Sequence, residues 1–405
     1  MEKLQKWYET WLLDYHNGEL LFFIGFIIYL GRNTWITTTF PFPNIINKLC
    51  LLLPLLLIVL KIFFFDSYRV KPLLILCLSM IVSLMIYCSS GYLNVLFWLL
   101  LVLGSKDISF KKILEIYLLI TGSIVLLAFC SSLLGVIENY QYVTTSRGIR
   151  NSFGITYTTD FASHIFFLIL AFFYLMGENL KFYHYMGTLI IAALIYHFCN
   201  ARLDSCSIVL IVVVFSLGNW IEYSKYSGKN FRKLWKNNWA KKGIYIMLLL
   251  AVVSVVVTNL YRPENKLLSE LNTLFSSRLY QGQKGIKEYG YKLFGQYVEL
   301  VGGGGSESHA KFPSNYFFVD CSYIYVMLRY GVLFTVFVVT SYMAACHKNR
   351  HDLYFLYTIA LIAVNCTIAH HLLEFEYNPF ALSLLSISVR NNKSDSDILT
   401  NLIQT

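Results

Sequence analysis

The sequence predicts an all-α, polytopic integral membrane protein of about 12 transmembrane helices with one long extracytoplasmic loop. Hydrophobic residues make up 57% of the 405 residues and charged residues only 14%, whereas an ordinary soluble domain has roughly 25% charged residues. Runs of about 20 apolar residues, the length that crosses a bilayer, recur along the chain. The longest stretch without such a run covers residues 259–321. We therefore expect residues 1–405 to form a single transmembrane domain in which residues 259–321 are the long loop.

Each predicted helix corresponds to one apolar window of the sequence, and the first and fourth windows are short or flanked by polar residues. The windows are centred near Phe26, Leu56, Met80, Leu96, Val125, Leu168, Ala192, Val212, Leu250, Phe334, Leu361 and Leu385. Within the long loop, the piece GGGGSES at Gly302–Ser308 is flexible by composition. It is typical of a hinge, a lid or an engineered linker.

The placement of lysine and arginine predicts which side each loop faces. With the N-terminus inside, most of the 33 basic residues fall in inner segments, as cytoplasmic loops require. The same bias explains the net charge of +10 without a nucleic-acid partner. The N-terminal segment lacks the pattern of a cleaved signal peptide, and both termini are expected to be cytoplasmic. Short outer loops then hold only five basic residues: Arg32, Lys48, Arg147, Arg150 and Arg202.

Arginine in a short outer loop runs against this bias, so those arginines are candidates for binding an anion. Arg147 and Arg150 lie in SRGIRNSFGITYTTDFASH, Arg202 lies in HFCNARLDS, and Arg278 lies in the long loop. The planar guanidinium group donates two parallel hydrogen bonds and keeps its charge, which suits phosphate. The plainer alternative is that each arginine extends to the membrane interface or pairs with an acid. The acids in question are Asp160, Asp204 and Glu270.

Three segments in order resemble the Wzy-type polymerases, which join lipid-linked repeat units of bacterial capsules and O-antigens. They are RNSFGITYTTDFASH, SSRLYQGQKGIKEYGYKLFGQ and FFVDCSYIYVMLRYG, and they cover most of the chain from Ile137 to Gly331. The resemblance implies a GT-C-like polymerase and ligase fold in a bacterial cytoplasmic membrane. It also implies polymerisation of undecaprenyl-diphosphate-linked oligosaccharides on the outer face, with release of undecaprenyl diphosphate. A flippase and a chain-length regulator of the same pathway are the implied protein partners, alongside membrane lipid.

The resemblance also implies roles for individual residues. Arg147, Arg150, Arg202 and Arg278 are the expected diphosphate clamp, because fixed cations stabilise charge that develops on the leaving group. A general base must take the proton of the attacking hydroxyl. The candidates, in order of preference, are Asp320, then His370 or His371, then His309.

Two residues, Asp320 and Arg329, have alternative roles, and two positions depart from the family pattern. Asp320 could instead be a helix N-cap. Arg329 is a further candidate because arginine inside a membrane helix is usually functional, and its alternative role is to neutralise Glu374. The segment TYTTD stands where many members carry His-Pro-Asn, and related ligases often have a histidine at the position of Asp320. No metal or other cofactor is required.

Two other functions remain open from the sequence. An O-antigen-ligase-like transferase would share the fold and pass the finished chain to a different acceptor. A flippase or other carrier would concentrate its polar groups near the middle of the bilayer. Here the charged residues lie at the outer ends of the predicted helices, which favours an enzyme.

Overall fold

A computed structural model describes residues 15–67, 70–144, 148–223, 228–304 and 315–390. Within these ranges the protein is mostly helical. The α-helices are α1 (Tyr15–Ile36), α2 (Asn44–Phe64), α3 (Val70–Ser90), α4 (Asn94–Gly104), α5 (Phe110–Leu133), α6 (Thr158–Met176), α7 (Phe182–Cys199), α8 (Arg202–Tyr223), α9 (Lys229–Lys242), α10 (Ile246–Leu260), α11 (Lys266–Leu274), α12 (Arg278–Tyr289), α13 (Ser322–Lys348) and α14 (Leu353–Asn365).

Eight helices in the described ranges are long and apolar enough to cross a membrane, so the chain is a multi-pass membrane protein. Seven of these spans correspond to α1, α2, α5, α6, α7, α8 and α13. The eighth is the helical run Lys229–Leu260, which includes α9 and α10. Their exposed faces carry large apolar side chains, as surfaces in contact with lipid do. These eight match predicted windows.

The centre of the bundle is formed by shorter segments that lipid does not reach. Helix α4 has only 11 residues, nearly all of them buried, and α14 has 13. Neither is long enough to cross a membrane of about 30 Å at 1.5 Å per residue. The twelfth predicted helix, centred near Leu385, is not present as an α-helix. A short 3₁₀ helix covers Pro379–Leu384 instead. A segment buried in protein is as apolar as one buried in lipid, so composition does not separate the two.

A β-hairpin interrupts the expected all-α fold. Strand β1 (Gln141–Thr144) pairs antiparallel with β2 (Gly148–Asn151), and Tyr142 lies opposite Arg150. Two residues with positive φ, Phe153 and Gly154, end the hairpin. The Phe153 N–H donates to Oδ1 of Asn139 at 2.8 Å, and a Cβ on Gly154 would lie 2.6 Å from the carbonyl oxygen of Ala128. The SFGI motif is therefore a tight turn that holds the hairpin against α5.

The long loop is largely structured and packs into a break in α13. It contains α11 and α12, and its residues 290–296 cross the break at Gly331, where φ is 91° and ψ is 166°. The Gln296 N–H donates to the Arg329 carbonyl at 3.1 Å, and the Val332 N–H donates to the Lys292 carbonyl at 3.0 Å. These bonds satisfy backbone groups that a broken membrane helix leaves free. Of the expected flexible piece, residues 305–308 lie outside the described ranges.

The bundle has two polar ends. One carries the β-hairpin, α11, α12 and the segment of residues 366–378, and we call it the hairpin end. The opposite end carries the basic helix α9 and an ion pair of 3.3 Å between Arg390 and Asp352. Residues 366–378 are not α-helical, and hydrogen bonds from neighbouring helices hold this segment in place. Ser322 donates its N–H to the Cys366 carbonyl at 2.8 Å, and the Tyr117 hydroxyl donates to the Tyr377 carbonyl at 2.8 Å.

Candidate active site

The hairpin end gathers charged residues from five separate segments into one group, which we call the polar cluster. Its members are Arg150, Arg278, Arg329, Asp160, Asp320, His370, His371 and Glu374. Arg150 joins the group through Tyr157, on which the charges of both Arg150 and Asp320 act, and the other members interact electrostatically with one another. The charges of Arg278 and Arg329 both act on His370, and Asp160 interacts with Glu374 and Asp320.

Arg278 and Asp320 form an ion pair at the centre of the cluster, with 3.4 Å between Nε and Oδ2. Arg278 also donates to the carbonyl oxygens of Ile368 at 2.7 Å and Phe275 at 3.2 Å. Ser276 and Ser277, directly before it, both have positive φ, so a strained turn fixes where α12 begins. The expected alternative for Asp320 is wrong, because the N-cap of α13 is Cys321 and no side chain caps that helix.

Arg150 is buried beside this pair, with only 4% of its surface exposed. Its Nε donates to the Cys199 carbonyl at 3.1 Å, and its guanidinium carbon lies 5.6 Å from the centre of the Tyr157 ring. Its Nη2 has no hydrogen-bond partner among the described residues. A buried, unpaired N–H of a cation is costly, so this nitrogen is available to an anionic ligand.

Arg329 is held by aromatic rings and not by an acid. Its guanidinium carbon lies 3.7 Å from the centre of the Tyr92 ring and 4.7 Å from that of Tyr325. Such cation–π contacts fix a guanidinium without neutralising it. Its buried Nε lacks a hydrogen-bond partner in the described part of the chain. Its charge acts on Glu374, but the described residues include no ion pair between them.

The two histidines have different environments. His371 Nδ1 lies 2.6 Å from Oε2 of Glu374, and its ring stacks on Tyr377 with centroids 3.8 Å apart. His370 Nε2 lies 3.9 Å from Oε1 of Glu374, too far for a hydrogen bond. His371 begins a 3₁₀ helix, in which residues i and i+3 are eclipsed. This geometry brings the His371 and Glu374 side chains together.

Burial sets the protonation of the cluster. It lowers the pKa of His370 and of His371 to about 3 in each case, so both imidazoles are neutral at pH 7. Burial raises the pKa of Asp320, and the positive charge of Arg278 opposes that rise. Burial also raises the pKa of Glu374, opposed by His370 and Arg329. The cluster thus combines permanent cations with groups that can accept a proton.

The four predicted clamp arginines have different positions. Arg150 and Arg278 lie near each other, since both charges act on the Tyr316 hydroxyl and oppose the rise in its pKa that burial causes. Arg202 is exposed, and its Nε donates to Oδ1 of Asn200 at 3.1 Å. Arg147 lies outside the described residues, and so does His309. The described cluster therefore has three cations, two from the predicted clamp and Arg329.

One group in the cluster has the ligand types for a metal ion. Donor atoms of His370, His371 and Glu374 all lie within 4.8 Å of one another. Two imidazoles and a carboxylate form a common ligand set for Zn²⁺. However, the nearby charges of Arg278 and Arg329 oppose binding of a cation at His370. The short His371–Glu374 hydrogen bond also accounts for these side chains without a metal.

An apolar groove of about 690 Å³ lies between α5, α6 and α7. Its walls include Leu126, Phe161, Leu168 and Leu194, while Asn139, Asn151 and Phe153 lie where it meets the hairpin. Cys199, whose carbonyl accepts from Arg150, also lines it. The groove therefore ends one residue along β2 from a cation of the polar cluster.

Comparison of the chain with protein-family models, with curated proteins and with solved structures gives no match. Its chemistry has to be argued from the side chains of the polar cluster.

Several residues of the site were missed from the sequence or ranked low. Tyr92 was missed because tyrosine is abundant here and only the fold brings it to Arg329. Tyr325 was also missed, although it lies four residues before Arg329 on α13, a spacing that places both on one helix face. Asp160 was treated only as a partner for arginine. The pair His371 and Glu374 carried a usable signal in the sequence HHLLE, since residues three apart share a helix face.

Proposed function

We propose that this protein polymerises undecaprenyl-diphosphate-linked oligosaccharide repeat units on the outer face of the bacterial cytoplasmic membrane. The observation that carries this proposal is that two arginines, Arg150 and Arg329, each have one buried guanidinium nitrogen without a hydrogen-bond partner among the described residues. A third, Arg278, lies in the same cluster. Buried polar groups are nearly always hydrogen-bonded, so an anion is the natural ligand here.

The reaction is a glycosyl transfer in which a lipid diphosphate leaves. A hydroxyl of the newest repeat unit attacks the anomeric carbon of the growing chain. The bond from that carbon to the phosphate oxygen breaks, and its electron pair remains on undecaprenyl diphosphate. Negative charge increases on the phosphate oxygens as the bond breaks, so guanidinium groups already fixed in place stabilise the transition state more than the bound substrate.

The arginines of the cluster are held in place before substrate binds, which suits stabilisation of a charged leaving group. Arg278 is fixed by two carbonyl oxygens and Asp320, and Arg329 is fixed between Tyr92 and Tyr325. Because these neighbours hold the side chains before substrate arrives, little reorganisation is needed during the reaction. Arg202, exposed at the start of α8, has no comparable support.

The groove between α5, α6 and α7 supports a lipid-linked substrate. It is apolar along its length and ends at the hairpin that carries Arg150. We propose that the polyprenyl chain lies in this groove while the diphosphate faces the cluster. A carrier would need a polar pathway near the bilayer centre. In the described ranges the conspicuous charged cluster is at the hairpin end, which favours an enzyme.

The test is reconstitution of the purified protein in detergent with a synthetic lipid-linked repeat unit, without nucleotide sugar. We expect a ladder of polymers on a gel and release of undecaprenyl diphosphate in equal number to the bonds formed. A ladder that requires a second kind of acceptor would indicate a ligase. Substrate recovered unchanged, with a lipid shown to be bound, would contradict the proposal.

A further inference from the structure

The ring of His371 is buried and is fixed by an aromatic stack and by a hydrogen bond. Its ring is 3% exposed and stacks on Tyr377, whose other face stacks on His164 at 3.9 Å. Its Nδ1 is 2.6 Å from the Glu374 carboxylate. A carboxylate that fixes the tautomer and plane of a histidine ring is the arrangement found in hydrolytic triads.

The hydrogen bond to Glu374 determines what the other ring nitrogen can do. In the neutral ring, Nδ1 carries the hydrogen that is donated to the carboxylate, so Nε2 has a free lone pair. Nε2 lies 4.0 Å from Oδ1 of Asp160, which is too far for a direct bond. The gap therefore has room for a hydroxyl oxygen about 2.8 Å from Nε2. Asp160 and Glu374 are each 23% exposed, so the gap borders accessible space.

The groups that face His371 come from two elements. Asp160 and His164 come from α6, while His370, Glu374 and Tyr377 come from its own segment. The charge of Arg329, on α13, acts on Glu374. A carboxyl group therefore lies near each ring nitrogen, Glu374 at Nδ1 and Asp160 near Nε2. Their negative charge stabilises the imidazolium that forms when His371 takes a proton.

We propose that Nε2 of His371 removes the proton from the attacking sugar hydroxyl, with Glu374 orienting the ring and Asp160 accepting a hydrogen bond from a second hydroxyl of the acceptor sugar. This assignment rests on the proposed polymerase function. The hydroxyl O–H bond breaks and its proton moves to Nε2. The oxygen forms the new bond to the anomeric carbon, and the lipid diphosphate leaves with the electron pair of the old bond.

Asp320, the base favoured from the sequence, is placed differently. Its carboxylate is 3.4 Å from Arg278 Nε, and an acid that neutralises and positions a clamp arginine is less free to take a proton. His371 → Gln should therefore lower kcat, whereas Asp320 → Asn should mainly raise KM through Arg278. The two variants separate the assignments.

The experiment measures polymerisation by purified wild type, His371→Gln, Glu374→Gln and Asp320→Asn, with His347→Gln at the opposite end as the matched control. We expect His371→Gln to lower kcat roughly 100- to 10,000-fold, the usual contribution of a general base, with KM little changed. Glu374→Gln should lower kcat less and move the acidic limb of the pH profile to lower pH. His347→Gln should match wild type.

Four results would overturn the assignment. Wild-type kcat in a folded His371→Gln protein would exclude this base but leave the polymerase function standing. An unchanged acidic limb in Glu374→Gln would exclude the orienting role. A divalent metal bound to wild type by mass spectrometry, and lost in His371→Gln, would assign the histidine to a metal instead. Absence of polymer from wild type would remove the base assignment and the proposed function together.

Discussion

Gly295 and Gly331 lie against each other where the long loop crosses the break in α13. Both have positive φ, and a Cβ on either one would collide with backbone of the other segment. The carbonyl of Arg329, exposed by the break, accepts the Gln296 N–H at 3.1 Å. This crossing therefore fixes the part of α13 that places Arg329 between its tyrosines.

Replacement of Gly331 by alanine should unfold this crossing. With φ of 91° and ψ of 166°, Gly331 lies in a backbone region that essentially only glycine adopts, so a side chain there costs about 1–3 kcal/mol, and the collision with Gly295 adds to it. We expect a lower melting temperature in detergent and loss of polymer. Gly187→Ala is the control, because a Cβ there meets nothing within 4 Å and alanine favours a helix by about 1 kcal/mol. Equal melting temperatures for the two variants would contradict this account of the crossing.

Arg278→Ala should accumulate single lipid-linked repeat units and lose long polymer. Removal of one fixed donor to a developing anion costs roughly 100- to 1,000-fold in kcat, and Arg278→Lys should not restore it because lysine lacks the planar fork that reaches two acceptors. Chain length is read on gels of cell-surface polysaccharide. The exposed Arg262 in the same loop supplies the control, Arg262→Ala. Normal chain lengths in the Arg278→Ala strain would remove this residue from the clamp.

Substitutions at Arg150 and at Arg202 should have very different effects on polymerisation, although both residues were predicted to belong to the clamp. Arg150 is buried, and its Nη2 has no hydrogen-bond partner in the described part of the chain, whereas Arg202 is exposed and bonded to Asn200. We expect Arg150→Lys to abolish most polymerisation in vitro and Arg202→Lys to leave it close to wild type. Similar losses in both variants would mean that the substrate draws Arg202 into the site.

The stability of the protein should fall as the pH rises through the neutral range. Burial, assisted by the charge of Glu374, raises the pKa of Glu376 from 4.5 to about 8. A carboxyl whose pKa is higher in the folded state binds its proton more tightly there, so stability is lost between about pH 4.5 and 8. Glu376→Gln keeps an acceptor for Asn33, which donates to Glu376 at 3.5 Å. It should raise the melting temperature at pH 8 by a few degrees and leave it unchanged at pH 4.5. A variant less stable than wild type at pH 8 would show that the ionised form is favoured in the fold.

Filling the apolar groove should weaken binding of a long lipid. Leu194→Trp places a large side chain in the groove, so KM should rise for a long polyprenyl substrate and change little for a short one. Leu249→Trp is the control, since Leu249 is 60% exposed on α10 and does not line the groove. A rise in KM that is the same for both chain lengths would place the lipid elsewhere.

The sequence alone determined the class of protein and the chemistry available to it. Apolar windows predicted the eight long helices because a bilayer-facing helix has to be apolar along its whole length. Arginines in short loops predicted to be outer led to the hypothesis of an anion site, since the positive-inside bias disfavours arginine there. The SFGI and YGYKLFG motifs supplied only a family resemblance in the sequence; the structure places them at a tight turn and at a backbone crossing, where residues with positive φ occur and glycine is favoured.

Only the tertiary structure decided which polar residues act together. Arg278, Asp320 and Ile368 meet through contacts across 90 residues of chain, and no local pattern encodes such a distance. Burial decided that α4, α14 and Pro379–Leu384 form a core, since the sequence records apolarity but not whether lipid or protein surrounds it. The same burial separated Arg150 from Arg202, and the fold brought Asp160 of α6 to 4.0 Å from His371, because a side chain's charge and partners depend on what the fold packs around it.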